Sequence, residues 1–150
     1  MMIFLDTDAI IAILRGTPAM GAFLAAHKTE IFAIPMPALF EIYYGFYYPP
    51  VSKEFRDNTQ FLQRLLREQQ RLLQLLTDIQ IFELSLDAIK KAAEISARLD
   101  AMGTPVGKFD ILIAGTLLAA GYDTIVTNNV GHYEKVPEIK VLPISTKIIL

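Results

Sequence analysis

Short apolar runs of strand length alternate along the chain with stretches whose apolar positions recur every three to four residues. The short runs predict strands near Ile3–Leu5, Ile31–Ile34, Ile79–Glu83, Thr124–Thr127 and Ile139–Leu142. The periodic stretches predict helices over about Asp8–Leu14, Pro18–His27, Pro37–Tyr47, Lys53–Leu76 and Leu86–Met102, with a last one ending at Ala120. Pro18, Pro37 and Pro105 stand near helix starts, and Gly16, Gly103 and Gly121 near helix ends, which suits a ring without an N–H and a residue tolerant of positive φ. Alternation of this kind is the pattern of βαβ units. It predicts an α/β fold, a three-layer α/β/α sandwich around a central, mainly parallel sheet, formed by one domain over residues 1–150. Ligands of such folds bind beyond the C-terminal ends of the strands.

Composition narrows the chemistry. No apolar run reaches the roughly 18 residues of a membrane span, and acids already at positions 6 and 8 argue against a signal peptide, so a cytoplasmic protein without membrane contact is expected. With no cysteine, disulfides and thiolate metal sites are excluded, and oxygen ligands point to hard cations. A net charge of −2 rules out general electrostatic attraction to nucleic acid; any such binding needs a local basic patch.

The apolar opening is broken by Asp6-Thr7-Asp8. Ionised carboxylates avoid the interior unless compensated, so the break is a helix cap or the wall of a cation site. Asp6 follows the first strand directly and is expected at the ligand-binding edge of the sheet. Asp8 reads first as an N-cap and second as a polar support for Asp6. Glu41 is the only charge between Glu30 and Lys53, and Gly45 one turn later leaves room beside it. Asp110 alone leads an uncharged run reaching to Asp123; Thr104 with Pro105, or else Gly107, starts its helix. Thr127, Asn128 and Asn129 leave the fourth strand at the same edge as Asp6, although asparagines there also suit a plain turn. A lone His132 reads as a packing or hydrogen-bonding residue. Three carboxylates drawn to one edge would repel each other, and Mg²⁺ or Mn²⁺, which needs few protein ligands, resolves the conflict.

At this point "FLDTDAIIAILRG", "PALFEIYYG" and "GTPVGKFDILIAGTLLAAGYDTIVTNNVGHYEKVPEIKVLP" together resemble the PIN-domain ribonucleases, and particularly the VapC-type toxins of toxin–antitoxin pairs. The likeness covers most of the chain except Tyr48 to about Leu76. It implies an acidic site of Asp6, Glu41, Asp110 and Asn129, with metal on the three acids and Asp8, Thr127 and Asn128 in support. It also implies Mg²⁺- or Mn²⁺-dependent hydrolysis of RNA by a metal-activated water, a homodimer, and a small antitoxin partner. Many family members carry Asp where this chain has Asn129, which weakens attraction for a second metal; Asp8, where the family often has Asn or Ser, partly restores the charge.

Outside the site, the wheel of the long fourth helix puts Phe61, Leu62, Leu65, Leu66, Leu72, Leu73 and Leu76 on one arc and Arg56, Arg64, Arg67 and Arg71 on the other. Arg64, Arg67 and Arg71, with Lys108, are candidates for RNA phosphates; a solvated face with Glu68 is the plainer reading. The aromatics from Phe40 to Tyr48 exceed what an exposed helix carries, so part is core and part suits another chain. Two rivals stay open. One is a PIN-like binding module with a weakened site, argued from Asn129. The other is a phosphohydrolase of haloacid-dehalogenase type with Asp6 as nucleophile, for which "VTNNVG" lacks the required acidic pair.

Overall fold

The computed structural model describes residues 1–145. Five strands, β1 (Met2–Leu5), β2 (Ile31–Pro35), β3 (Gln80–Phe82), β4 (Thr124–Val126) and β5 (Lys140–Leu142), form one sheet in the order β3-β2-β1-β4-β5, every pairing parallel. The helices are α1 (Thr7–Arg15), α2 (Pro18–Ala26), α3 (Met36–Val51), α4 (Thr59–Asp78), α5 (Leu86–Ala101), α6 (Lys108–Ala119) and α7 (Val130–Tyr133). The expected three-layer α/β/α architecture is present, and all five strands lie where the apolar runs put them.

β1 is central. Ile3, Phe4 and Leu5 are fully buried, because helices cover both faces of a parallel sheet and leave its strands no polar side. From β1 the chain steps outward to β2 and β3 on one side, then returns to place β4 and β5 on the other. The reversal falls between β1 and β4, and the crevice past their C-terminal ends is where a ligand site is expected. Asp6 and Thr127 are the residues that leave those two strands there.

Several boundaries differ from expectation for local reasons. Asp6, extended at φ −71° and ψ 166°, is the N-cap of α1 and accepts from Thr7 N–H, so Asp8 lies in the first turn and is not the cap. α3 runs on through Pro49 and Pro50, each of which removes an N–H donor, and ends directly after them at Ser52. α4 starts only at Thr59, capped by the Asn58 side chain on Phe61 N–H; Lys53–Asp57 forms turns instead. α6 is capped by Gly107, so Pro105 precedes the helix and Asp110 falls at its third position, where a carboxylate complements the dipole. α7 went unforeseen.

The wheel of α4 is also corrected. Leu65 and Leu72 are buried, but Leu66 and Leu73 are exposed, and Glu68 is buried among the leucines. Glu68 is tolerated there because Arg15, at the end of α1, donates from Nε to its Oε1 at 3.1 Å. Among the described residues no single helix is long and apolar enough to cross a membrane.

Candidate active site

The crevice between β1 and β4 is lined by acids linked through hydroxyl groups. Asp6, 2% exposed, is held at both oxygens: Thr7 N–H donates to Oδ1 at 2.9 Å, the Tyr133 hydroxyl donates to Oδ1 at 3.0 Å, and the Thr127 hydroxyl donates to Oδ2 at 2.8 Å. Among the described residues no cation pairs with it. Burial above all, with the nearby Asp8 charge, pushes its pKa from 3.8 up to about 6, against the opposing effect of these three donors.

Around this acid the others are arranged in pairs. Thr127 Oγ1 also lies 3.1 Å from Asp8 Oδ1, and Asp8 Oδ2 accepts Asn128 N–H at 2.9 Å. Asp8 thus fastens α1 to the end of β4. The Thr7 hydroxyl donates to Glu41 Oε1 at 2.8 Å, joining α1 to α3. Gly45 lines the same small hollow as Glu41 and leaves it open, as its position suggested. On the far side Tyr133 Oη is 3.4 Å from Asp110 Oδ1, while His132 Nδ1 sits 2.7 Å from Asp110 Oδ2. Burial first, then the charges of Asp6 and Asp110, push the Tyr133 phenol far above its ordinary value, so it remains a donor.

The structure therefore brings Asp6, Asp8, Glu41 and Asp110 to one sheet edge, as the sequence led us to expect. It does not draw three of them into one coordination shell: among the described residues no three His, Cys, Asp or Glu side chains surround a common point. The donors fit a hard cation in kind, since all are oxygens and the buried Asp6 carboxylate has no positive partner among the described residues. They fit in number as well, because Mg²⁺ and Mn²⁺ keep several waters and need only one or two carboxylates.

The asparagines behave differently from each other. Asn128 Oδ1 accepts Ile144 N–H at 3.1 Å, tying the exit of β4 to the chain beyond β5. Asn129 is exposed; its backbone N–H donates to Thr127 Oγ1 at 2.9 Å, and its side chain makes no cap bond to α7. With two amides after β4, the acidic pair that a haloacid-dehalogenase site requires is missing here.

The basic candidates are less free than a helical wheel suggests. Arg71 Nη1 donates to the Leu14 carbonyl and Arg64 stacks over Phe61, 5.0 Å from the ring centroid. Arg67 joins them, with Arg15 and the buried Glu68, around an open hollow of about 300 Å³. Lys108 turns toward α5, donating to Ser96 Oγ at 2.6 Å with Asp100 at 3.5 Å, and so faces away from the acids. Of the aromatic run, Phe46 is buried, while Phe40, Tyr44, Tyr47 and Tyr48 stay exposed; Phe40 stacks on Phe109 at 5.1 Å and Tyr44 on Tyr48 at 5.5 Å.

Sequence reasoning missed Thr7 and Tyr133 as site residues. Thr7 was legible in principle, since a hydroxyl between two acids at a helix start is placed to donate to a neighbour. Tyr133 was not, because its hydroxyl meets Asp6 across 127 positions of sequence.

The chain is similar to known proteins in sequence and in fold. Over 63 residues the chain is 33% identical to the tRNA(fMet)-specific endonuclease VapC of Salmonella typhimurium; the match spans 42% of this chain and 47% of that protein, about half its length. The fold matches a chain from the crystal structure of VapBC2 from Rickettsia felis bound to a DNA fragment from their promoter. There the TM-score is 0.74 at 22% identity, covering 95% of this chain and 98% of that one. DNA-bound VapBC from Salmonella typhimurium gives a TM-score of 0.73 at 24% identity, covering 97% and 100%. The PIN domain family model matches residues 3–139, a span that contains Asp6, Glu41 and Asp110 at the edge of the parallel sheet, and the chain belongs to the PIN domain family.

Proposed function

We propose that this protein is a Mg²⁺- or Mn²⁺-dependent endoribonuclease and the toxin of a toxin–antitoxin pair, acting in the cytoplasm. The observation that carries the reading is the buried, unpaired Asp6 carboxylate, flanked by Asp8, Glu41 and Asp110 at the β1/β4 crevice of a PIN domain. Asp6 and Asp110 would hold the cation, Glu41 would bind it or orient one of its waters, and Thr127 and Thr7 would orient Asp6 and Glu41. When bound, such a cation acidifies a water and stabilises charge growing on the phosphoryl oxygens. Asn129, exposed at the rim, presents a neutral amide to the scissile phosphate. Asn128 and Asp8 keep the exit of β4 in register with α1.

A chelator-controlled assay on total RNA tests this. The parent protein cleaves with Mn²⁺ and stops with excess chelator; Asp110→Asn cleaves in neither condition. Mn²⁺ also raises the parent's Tm and leaves that of Asp110→Asn unchanged. Cleavage that survives in Asp110→Asn, or an identical manganese response, would sink the ligand assignment. A PIN-like module that binds RNA without cutting it is the second reading, favoured by the neutral Asn129; it predicts RNA binding by the parent and no metal-dependent products.

The hollow formed by Arg15, Arg64, Arg67 and Arg71 offers positive charge to an RNA backbone. Replacing Arg64 and Arg67 with Gln is expected to reduce the salt dependence of RNA binding by about one to two in the logarithmic slope. Arg71, bonded to Leu14, is expected to show its effect mainly in stability. An unchanged slope rules out the patch. The exposed ladder of Phe109, Phe40, Tyr44 and Tyr48 supports contact with a second protein chain, since aromatics concentrate at interface cores. A homodimer and an antitoxin are the partners implied, in keeping with the toxin–antitoxin complexes among the similar structures.

A further inference from the structure

The Tyr133 hydroxyl has no part in the chemistry above. We propose that this hydroxyl stands in for a cation: it supplies a proton between Asp6 and Asp110, steadying the two acids in the absence of metal at a cost in metal affinity. The inference rests on the reading of Asp6 and Asp110 as metal ligands.

Tyr133 is fully buried at the end of α7 and its carbonyl accepts Val136 N–H, so the ring is fixed from both ends. Each carboxylate oxygen offers two lone-pair sites. Asp6 Oδ1 has both taken, by Thr7 N–H at 2.9 Å and by the phenol at 3.0 Å. Among the described residues Asp6 Oδ2 accepts only Thr127, so one place on this acid remains for a cation. Asp110 is in a similar state: Oδ2 meets His132 at 2.7 Å, and Oδ1, the oxygen with room for a cation, is the one beside the phenol at 3.4 Å.

A donated proton and a cation act on a carboxylate in the same sense, each drawing on its negative charge, so they oppose one another at shared ligands. Removing the hydroxyl leaves more uncompensated charge for the metal. It does not release Asp6, because Thr7 N–H and the Thr127 hydroxyl still hold that side chain. Phenylalanine keeps the ring and its packing.

Calorimetric titration of the parent and Tyr133→Phe with Mn²⁺ at one fixed pH, with Tm recorded without metal, tests the idea. Tyr133→Phe is expected to melt a few degrees lower without metal and to bind Mn²⁺ about threefold to tenfold more tightly, the scale of one ordinary hydrogen bond. A lower Tm with unchanged Kd would mean that the hydroxyl only supports packing, and weaker binding would mean that it positions the ligands; either overturns the proposal. A parent that binds no Mn²⁺ defeats the metal reading itself, a result distinct from the other two.

Discussion

Asp6→Asn is expected to lower metal-dependent RNA cleavage by about a thousandfold or more while making the protein more stable at neutral pH. The activity loss follows from removing the most buried acid of the crevice, whose charge has no cation to answer it among the described residues. Losing one ligand's stabilisation of a highly charged transition state costs several kcal/mol, and each 1.36 kcal/mol is about tenfold in rate. The stability gain has a pH signature. Asp6 titrates near 3.8 when solvated and at about 6 in the fold, because burial opposes its charged form. The folded state therefore holds its proton more tightly than the unfolded chain does. Below about pH 4 both states are protonated and the group costs nothing; as pH rises through about 6 the folded protein bears a buried charge, at roughly 3 kcal/mol. The parent without metal should thus lose stability between about pH 4 and 6 in a way that Asp6→Asn does not. The gain at pH 7.5 will fall short of the full figure, since an amide accepts fewer hydrogen bonds from Thr127 and Tyr133. Thermal melts of both proteins from pH 4 to 8 in chelator, beside cleavage assays in Mn²⁺, measure both effects. Parallel pH profiles would show that the Asp6 charge is not what strains the fold.

What the sequence revealed and what it hid divide along the range of the interaction. Strands were legible because β1 to β5 announce themselves as apolar runs, and the switch of strand order placed Asp6 and Thr127 together once they were read as strand ends. Glu41 and Asp110 stood out because each interrupts an uncharged stretch. The assignment of the cap failed between Asp6 and Asp8, two identical side chains two residues apart, since backbone conformation and not residue type decides which one the helix uses. The start of α4 was misread because Lys53 to Asn58 continues a helical composition, and the Asn58 cap is a single local bond. Glu68 looked like a solvated charge on the wheel and is buried instead, held by Arg15 from 53 positions away. Asn129 and Lys108 were weighed by their sequence neighbours, yet the amide points to solvent and the ammonium to α5. Side-chain direction is set by tertiary packing, which no periodicity encodes.

The same limit hides a residue with a large effect on both fold and site. Gly115→Ala is expected to destabilise the protein by about 2 kcal/mol or more and to depress manganese binding with it. In an exposed helix the exchange would gain about 1 kcal/mol from propensity alone. Here a Cβ would stand 2.6 Å from the Ala88 carbonyl oxygen, 2.8 Å from Ala92 Cβ and 2.9 Å from Ala92 N, and two of those three are backbone atoms that cannot swing aside. The glycine is what lets α6 lie against α5, with Ala88 and Ala92 as the small residues opposite. Overpacking at such a contact costs about 1–3 kcal/mol, occasionally more, and must be met by moving one helix off the other. α6 carries Asp110 in its first turn, so a shift of α6 separates Asp110 from the Tyr133 and Asp6 side that belongs to β1 and α7. Gly21→Ala in α2, where a Cβ meets nothing within 4 Å, is the matching control and should stabilise by about 0.5–1 kcal/mol. Thermal melts of the two variants with and without Mn²⁺ check the pair. A Gly115→Ala protein that melts like Gly21→Ala would mean that α5 and α6 lie farther apart than this packing requires, and with them the position assigned to Asp110.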